Sequence, residues 1–161
     1  VHLFVYRGTV REAILAWKLS GRMAPLAALL DLALPRLQGI VAPEDMLVPV
    51  PSAAASIRRY GMHPAATLAR LLARRLGCRW SSRVLARCGD DPRQSSLPAH
   101  ARRKNLARAF VLAHRPSVDG RIWLVDDIYT TGTTVRRAFS VLCRDPKAFG
   151  VITLSRVPFV R

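Results

Sequence analysis

Lysine is nearly missing from this 161-residue sequence: of 26 basic residues, only Lys18, Lys104 and Lys147 are lysines. Acids are scarce too, 10 in all, so the formal charge is +16. Cysteine is limited to Cys78, Cys88 and Cys143, an odd and scattered set with no CxxC pair. That spacing indicates neither a disulfide framework nor a zinc site and leaves ordinary reduced or buried thiols. Long apolar runs are also absent. The longest, Ala24 to Leu34, contains Asp31 and stops at Pro35, too short and too interrupted to cross a bilayer. Neither a Walker P-loop nor a Rossmann glycine fingerprint occurs, and there is no internal repeat or low-complexity tract. No secretory leader precedes the strand-like start at Val1, so a cytoplasmic protein is expected. The missing initiator Met implies residues upstream.

What remains is a globular composition. Half of the residues are hydrophobic (50%), arranged as apolar runs between polar loops. A chain of this length buries roughly 70% of its unfolded surface as one domain. One compact domain is expected, with residues 1–45 as an N-terminal hood or helical segment and 46–161 as the core. The positive charge is almost entirely guanidinium, whose planar fork grips phosphate or carboxylate oxygens in pairs. Such a field attracts polyanions such as nucleotides, pyrophosphate or a nucleic-acid backbone. It names a class of ligand, not an activity.

Periodicity orders the chain. His2 to Tyr6 reads as a strand; Val10, Ala13, Ile14 and Trp17 form a helical stripe closed by Gly21. Ala24 to Leu34 reads as a second helix stopped by Pro35, and Gln38 to Asp45 as loop. Met46 to Val50 is a continuous apolar run, the mark of a strand covered on both faces. The residues from Pro51 to Ser56 follow as a loop, and Pro64 opens a helix that runs to Gly77. Arg83 to Arg87, Phe110 to Ala113, Ile122 to Val125 and Ala148 to Leu154 read as strands, and Thr133 to Cys143 as an amphipathic helix. Gly89 to Ala101 is rich in turn formers and should be a mobile loop, running into a basic stretch up to Arg108. Strands alternating with helices predict an α/β fold, a doubly wound, mostly parallel sheet with helices on both faces. Ligands in such folds sit outside the carboxyl ends of strands.

Two strand ends carry unusual chemistry, and the sharper is Leu124-Val125-Asp126-Asp127-Ile128-Tyr129-Thr130-Thr131-Gly132-Thr133-Thr134. The acids are expected at the exposed tip of a strand and the threonines at the opening of a helix. A helix N-terminus offers free N–H groups and the positive end of the helix dipole, which together hold phosphate. Gly132 allows close backbone approach, and Thr130, Thr131, Thr133 and Thr134 add hydroxyl donors. Asp126 and Asp127 are then placed to accept hydrogen bonds from the vicinal hydroxyls of a sugar, directly or through a divalent cation. Helix capping alone would explain one acid and one threonine, but not two adjacent acids and four threonines around a glycine. The other strand end leads from Val50 into Pro51, Ser52 and Ala53.

This segment resembles the phosphoribosyl pyrophosphate-binding motif of type I phosphoribosyltransferases. The wider chain is similar to the competence protein F (ComF/GntX-like) branch of that family, through Val48-Pro49-Val50-Pro51, Arg58-Arg59-Tyr60-Gly61, Gln94-Ser95-Ser96-Leu97 and Arg102-Arg103-Lys104-Asn105. The resemblance implies the type I phosphoribosyltransferase fold with a small hood. It implies that Asp126 and Asp127 hold the ribose hydroxyls, and magnesium only indirectly, through ribose or water. By the same resemblance Thr130 to Thr134 hold the 5-phosphate, and Pro51, Ser52 and Ala53 meet pyrophosphate near Mg²⁺. A basic flap from Gln94 to Asn105 closes over the diphosphate, with Arg58, Arg59, Arg102 and Arg103 stabilising it as it leaves. The chain departs from that branch at His63, where Asn or Asp is usual. It also departs in lacking the branch's cysteine-rich zinc-binding leader within these residues.

Three functions stay open from sequence. One is a transferase moving phosphoribosyl to or from a nitrogen nucleophile. Another is a non-catalytic protein of the same fold, acting in DNA uptake, competence or regulation, with single-stranded DNA, nucleotides or a competence protein as partner. The last is a plain nucleic-acid-binding domain, against which the acidic pair argues. No general base stands out. His63 reads as a helix-entry residue, and Trp17, Trp80 and Trp123 as packing residues.

Overall fold

The computed structural model describes residues 1–88 and 109–158. In chain order it forms β1 (His2–Val5), α1 (Gly8–Ser20), α2 (Met23–Gln38), β2 (Met46–Pro49), α3 (Ala54–Tyr60), α4 (Pro64–Leu76), β3 (Arg79–Trp80), β4 (Leu85–Arg87), β5 (Phe110–Leu112), β6 (Ile122–Tyr129), α5 (Thr133–Leu142) and β7 (Ala148–Arg156). The apolar runs become the sheet: β2 is buried at every position, as is the first half of β6. Five strands lie in the order β1-β7-β6-β2-β3, and every pair is parallel.

Side chains alternate across a strand, and the alternation divides the core in two. Leu47, Trp123, Val125, Ile152 and Leu154 pack with residues of α1, α2 and α4. Met46, Val48, Ile122 and Leu124 pack with Val135, Ala138 and Leu142 of α5. This is the expected α/β fold, a parallel sheet with helices on both faces. The segment 1–45 shares this core, since β1 pairs with β7 along the sheet edge and Ile14, Trp17, Leu26 and Leu30 are fully buried.

Several expectations are corrected. Helix α2 does not stop before Pro35 but runs through it to Gln38. Pro35 and Asp31 lie on the exposed side, where the carbonyl that proline leaves unbonded faces water. Beyond it, fully buried Leu37 and an Arg36 Nη1 bond to the Leu3 carbonyl (3.0 Å) hold the last turn in place. The stretch after Ala53, read as loop, forms α3. Strands β4 and β5 leave the main sheet and pair antiparallel with each other as a separate ribbon. The two-residue edge strand β3, too short to show a period, was not legible. It leaves Trp80 36% exposed instead of packed. The most consequential difference concerns β6, which does not end at Val125. It continues to Tyr129, laddered on β7, so Asp126 and Asp127 belong to the strand itself.

Cys78, Cys88 and Cys143 are free thiols, and burial pushes the Cys78 thiol up to about 11. Among the described residues, no helix is long and apolar enough to cross a membrane. The expected mobile loop from Gly89 to Ala101 lies outside the described residues.

At the amino ends of the strands one carboxylate ties three segments together. Asp45, 2% exposed, accepts from the Ala42 amide (3.0 Å), the Arg121 amide (2.7 Å) and Trp123 Nε1 (2.9 Å). Removing it strands buried donors, each worth roughly 1–3 kcal/mol when unsatisfied. Asp45→Ala is expected to destabilise the fold by about 3 kcal/mol, read as a lower urea midpoint at unchanged slope. A loss under about 0.5 kcal/mol, the size of an ordinary surface substitution, would show that the three donors find other partners.

Candidate functional site

The site begins where two neighbouring strands part. Ladder pairing of β2 with β6 ends at Pro49 and Val125, with one further bond from the Val50 amide to the Val125 carbonyl (2.8 Å). The chain turns away into α3, while β6 runs on beside β7 alone, and Val157 N–H closes that ladder on the Tyr129 carbonyl (2.9 Å). From β2 the chain proceeds to β3 on one side, whereas β6 lies on the other and leads to β7. The gap between β2 and β6 is thus the topological switch point of the sheet, where open α/β folds bind ligands.

A cavity of about 330 Å³ opens there, lined by Ser52, Tyr60, Asp126, Asp127, Thr133 and Thr134 among others. Of the expected residues, Pro51, Ala53, Thr130 and Gly132 also line it. Thr131 is not part of its wall and serves the turn instead. Its hydroxyl lies 3.0 Å from Thr133 Oγ1 and accepts from the Thr133 amide at 3.4 Å. Arg58 and Arg59 are exposed on α3 and do not line the cavity, and the Arg59 guanidinium lies 5.4 Å from the Tyr60 ring centre. Gln94, Arg102, Arg103 and Asn105 lie outside the described residues, as does the rest of the flap.

Gly132 caps α5 with φ +74°, a conformation that strains any residue bearing a Cβ. An added Cβ would also stand 2.1 Å from Tyr129 Oη. The glycine therefore lets the tyrosine ring pack under the turn, and with it sets the first turn of α5 facing the cavity. The opening N–H groups of a helix have no partner within it. Here that turn, with Thr133 and Thr134, lines the same cavity as the acids.

The acids are not at an exposed tip, because β6 carries them inside the fold: Asp126 is 9% exposed and the Asp127 side chain 16%. They follow the two rows of the strand. Asp127 continues the Trp123 and Val125 row toward α1, where it forms an ion pair with the Lys18 ammonium. Asp126 continues the Ile122 and Leu124 row and has no cation in contact; its Oδ1 accepts from the Asp127 amide (2.9 Å). Their protonation is split accordingly. Burial first, and then the neighbouring Asp127 charge, push the Asp126 carboxyl well above its ordinary value. Burial pulls Asp127 the same way, but the Lys18 charge and hydrogen bond outweigh it and hold that carboxyl below its ordinary value. Two adjacent carboxyls that differ in proton affinity offer a polar set suited to a diol.

Lys18, Tyr60 and Arg87 line the cavity without having been singled out from sequence. Lys18 had a signal: it lies four residues after Ile14 on the apolar stripe of α1, where a charge needs a buried partner. The Arg87 guanidinium sits 5.3 Å from the Phe110 ring centre on the β4–β5 ribbon, a position that no local period marks. His63 is the exposed N-cap of α4, a helix-entry residue as expected.

Among the described residues no three His, Cys, Asp or Glu side chains cluster as a metal cage. Asp127 is already paired and Asp126 favours its neutral form. Among the described residues, the two acids alone do not make a protein cage for magnesium.

No protein-family model matches the chain. It is 35% identical over 104 residues to the DNA utilization protein YhgH of Salmonella typhi, covering 65% of this chain and 45% of that protein. It is likewise 35% identical over 114 residues to the DNA utilization protein YhgH of Escherichia coli K12, covering 70% of this chain and 49% of that protein. The chain thus spans about half the length of the curated relatives it matches. Among solved structures it is similar to an orotate phosphoribosyltransferase from Aeropyrum pernix, with a TM-score of 0.48 and 20% identity over 86% of this chain and 62% of that one.

The split between the acids sets opposite outcomes for neighbouring substitutions. A folded-state pKa raised above the unfolded one means that the native protein binds the extra proton. Asp126 therefore lowers stability as pH rises above about 4, the unfolded carboxyl value. Asp126→Asn is expected to raise the melting temperature at pH 7 and to flatten that decline. Asp127→Asn strands the Lys18 ammonium and is expected to lose about 3 kcal/mol. Thermal melts of both variants between pH 4 and 8 read this; equal destabilisation by the two would contradict it.

Proposed function

We propose that this chain is a ComF-like, type I phosphoribosyltransferase-type domain that binds phosphoribosyl pyrophosphate or another ribose 5-phosphate ligand. The observation that carries the reading is one cavity, at the switch point of a parallel sheet, lined both by an adjacent carboxyl pair and by the threonines of a helix N-terminus. A ribose 5-phosphate has a diol and a phosphate dianion at its two ends. In this reading Asp127 accepts from the diol and neutral Asp126 both donates and accepts. The 5-phosphate rests on the first turn of α5 and the hydroxyls of Thr133 and Thr134. The anomeric carbon then faces the turn after β2, where Ser52 and the Ala53 backbone meet the diphosphate.

The reaction class is pentosyl transfer. The anomeric C–O bond to diphosphate breaks, a C–N bond to an incoming nitrogen forms, and diphosphate leaves with the bonding electrons. Positive charge building on the sugar is steadied by the Asp127 carboxylate. Arg87 stands in the same cavity as a cation for the departing anion. Magnesium belongs in this reading to the ligand's diphosphate and not to a protein cage. The basic flap residues Gln94, Arg102, Arg103 and Asn105 remain part of the proposal, as does a cytoplasmic setting.

A second reading draws on two facts: the relatives are named DNA utilization proteins, and the chain carries a formal charge of +16. In it the same pocket serves a non-catalytic role in DNA uptake or competence, with nucleotides or single-stranded DNA as partners. The two readings part on ligand and salt. Calorimetric titration with phosphoribosyl pyrophosphate and Mg²⁺ at physiological salt is expected to give micromolar affinity. The double substitution Thr133→Val with Thr134→Val should weaken it by about tenfold or more, the scale of two lost hydrogen bonds to an anion. Absence of binding by a folded sample, with steeply salt-dependent binding of single-stranded DNA instead, would favour the second reading.

A further inference from the structure

The acidic pair of a sugar-phosphate site has an electrostatic problem that the chain must answer. The Asp127 carboxylate lies in one cavity with the anchor for a phosphate dianion, and like charges in a poorly solvated space repel strongly. A divalent cation is one answer, but the described side chains form no metal cluster. The structure holds a cation of its own at the pair. Lys18 comes from α1, its side chain is only 8% exposed, and its ammonium pairs with Asp127 Oδ2 inside the cavity wall. The same ammonium lies 5.3 Å from the centre of the Tyr60 ring, whose electron-rich face adds a second attraction. Ile14 and Trp17 on the same helix are fully buried, so the backbone that presents Lys18 is fixed by the core.

A buried ion pair is a costly way to join a helix to a strand, and apolar residues of similar volume would hold the two as well or better. An ammonium on the cavity wall needs a reason that packing does not supply. We propose that Lys18 is the resident cation of the site: it takes the place of a divalent ion at the acidic pair, so that the ribose 5-phosphate part of a ligand binds without metal. Asp127 keeps its acceptor oxygens for the diol while its charge is cancelled toward the phosphate. Lys18 acts as a positioning and charge-balancing residue, and metal dependence is confined to ligands that bring a diphosphate. This rests on the ribose-phosphate reading given above and narrows it.

The test uses ribose 5-phosphate, which has no diphosphate to carry magnesium. Its affinity is titrated in EDTA and in excess Mg²⁺ for the unsubstituted chain, Lys18→Gln and Lys18→Arg, with a thermal melt of each to check folding. The unsubstituted chain is expected to bind equally well under both conditions. Lys18→Gln should lose about tenfold or more in EDTA, the size of one charge-assisted contact, and regain part of it with Mg²⁺. Lys18→Arg, which keeps the charge, should retain metal-free binding and serves as the test should Lys18→Gln fail to fold. A magnesium requirement in the unsubstituted chain overturns the inference, as does undiminished or tighter binding by Lys18→Gln. If the unsubstituted chain binds ribose 5-phosphate under neither condition, the ribose-phosphate reading itself fails.

Discussion

Pairing along β6 is the constraint on which the rest depends. One edge of the strand loses its neighbour after Val125, where the chain leaves β2 for α3; the other edge stays paired with β7 as far as Tyr129. The far half of β6 is therefore held straight by one ladder while a gap opens beside it. Into that gap face Asp126 and Asp127 from the strand, Ser52 from the turn after β2, and the first turn of α5. The site is a consequence of where hydrogen bonding stops.

The two acids illustrate how a strand makes different chemistry from identical side chains. Adjacent residues point to opposite rows, and only one row reaches α1. Asp127 finds the Lys18 ammonium there and holds its charge; Asp126 is buried without such a partner and favours its proton. Native packing thus keeps one carboxyl in a form that unfolding would relieve, a local cost of the kind seen where function and stability pull apart. At the opposite end of the sheet Asp45 is buried too, but three N–H donors meet it, and it works as a structural pin.

Much of this was legible in the sequence. The uninterrupted apolar runs Met46–Val50 and Ile122–Val125 marked strands buried on both faces, and their alternation with helical stripes gave the parallel sheet. The acids, Thr130, Thr133, Thr134 and Gly132 marked the cavity wall because no single structural role accounts for all of them. The misreadings have physical causes. A two-carboxylate segment looks like the end of a strand until a neighbour such as β7 is known to ladder it. Pro35 looks like a helix stop unless buried Leu37 is seen to anchor the turn beyond it. β3 has too few residues to show any period. Arginines named by their neighbours in sequence, such as Arg58 and Arg59, turned out on the outer side of a short helix, whereas Lys18 and Arg87 reached the cavity from elements far away in the chain.

The central claim is that the cavity at the end of β6 receives a ribose phosphate, with the phosphate on α5 and the diol on the acids. Amide chemical shifts followed during titration with ribose 5-phosphate test it most directly. The largest changes are expected at Gly132, Thr133 and Thr134, with a second set at Asp126 and Asp127. Changes confined to exposed arginine-bearing surfaces such as α3 and the outer side of α4, with the α5 turn and the acidic pair unmoved, would contradict it.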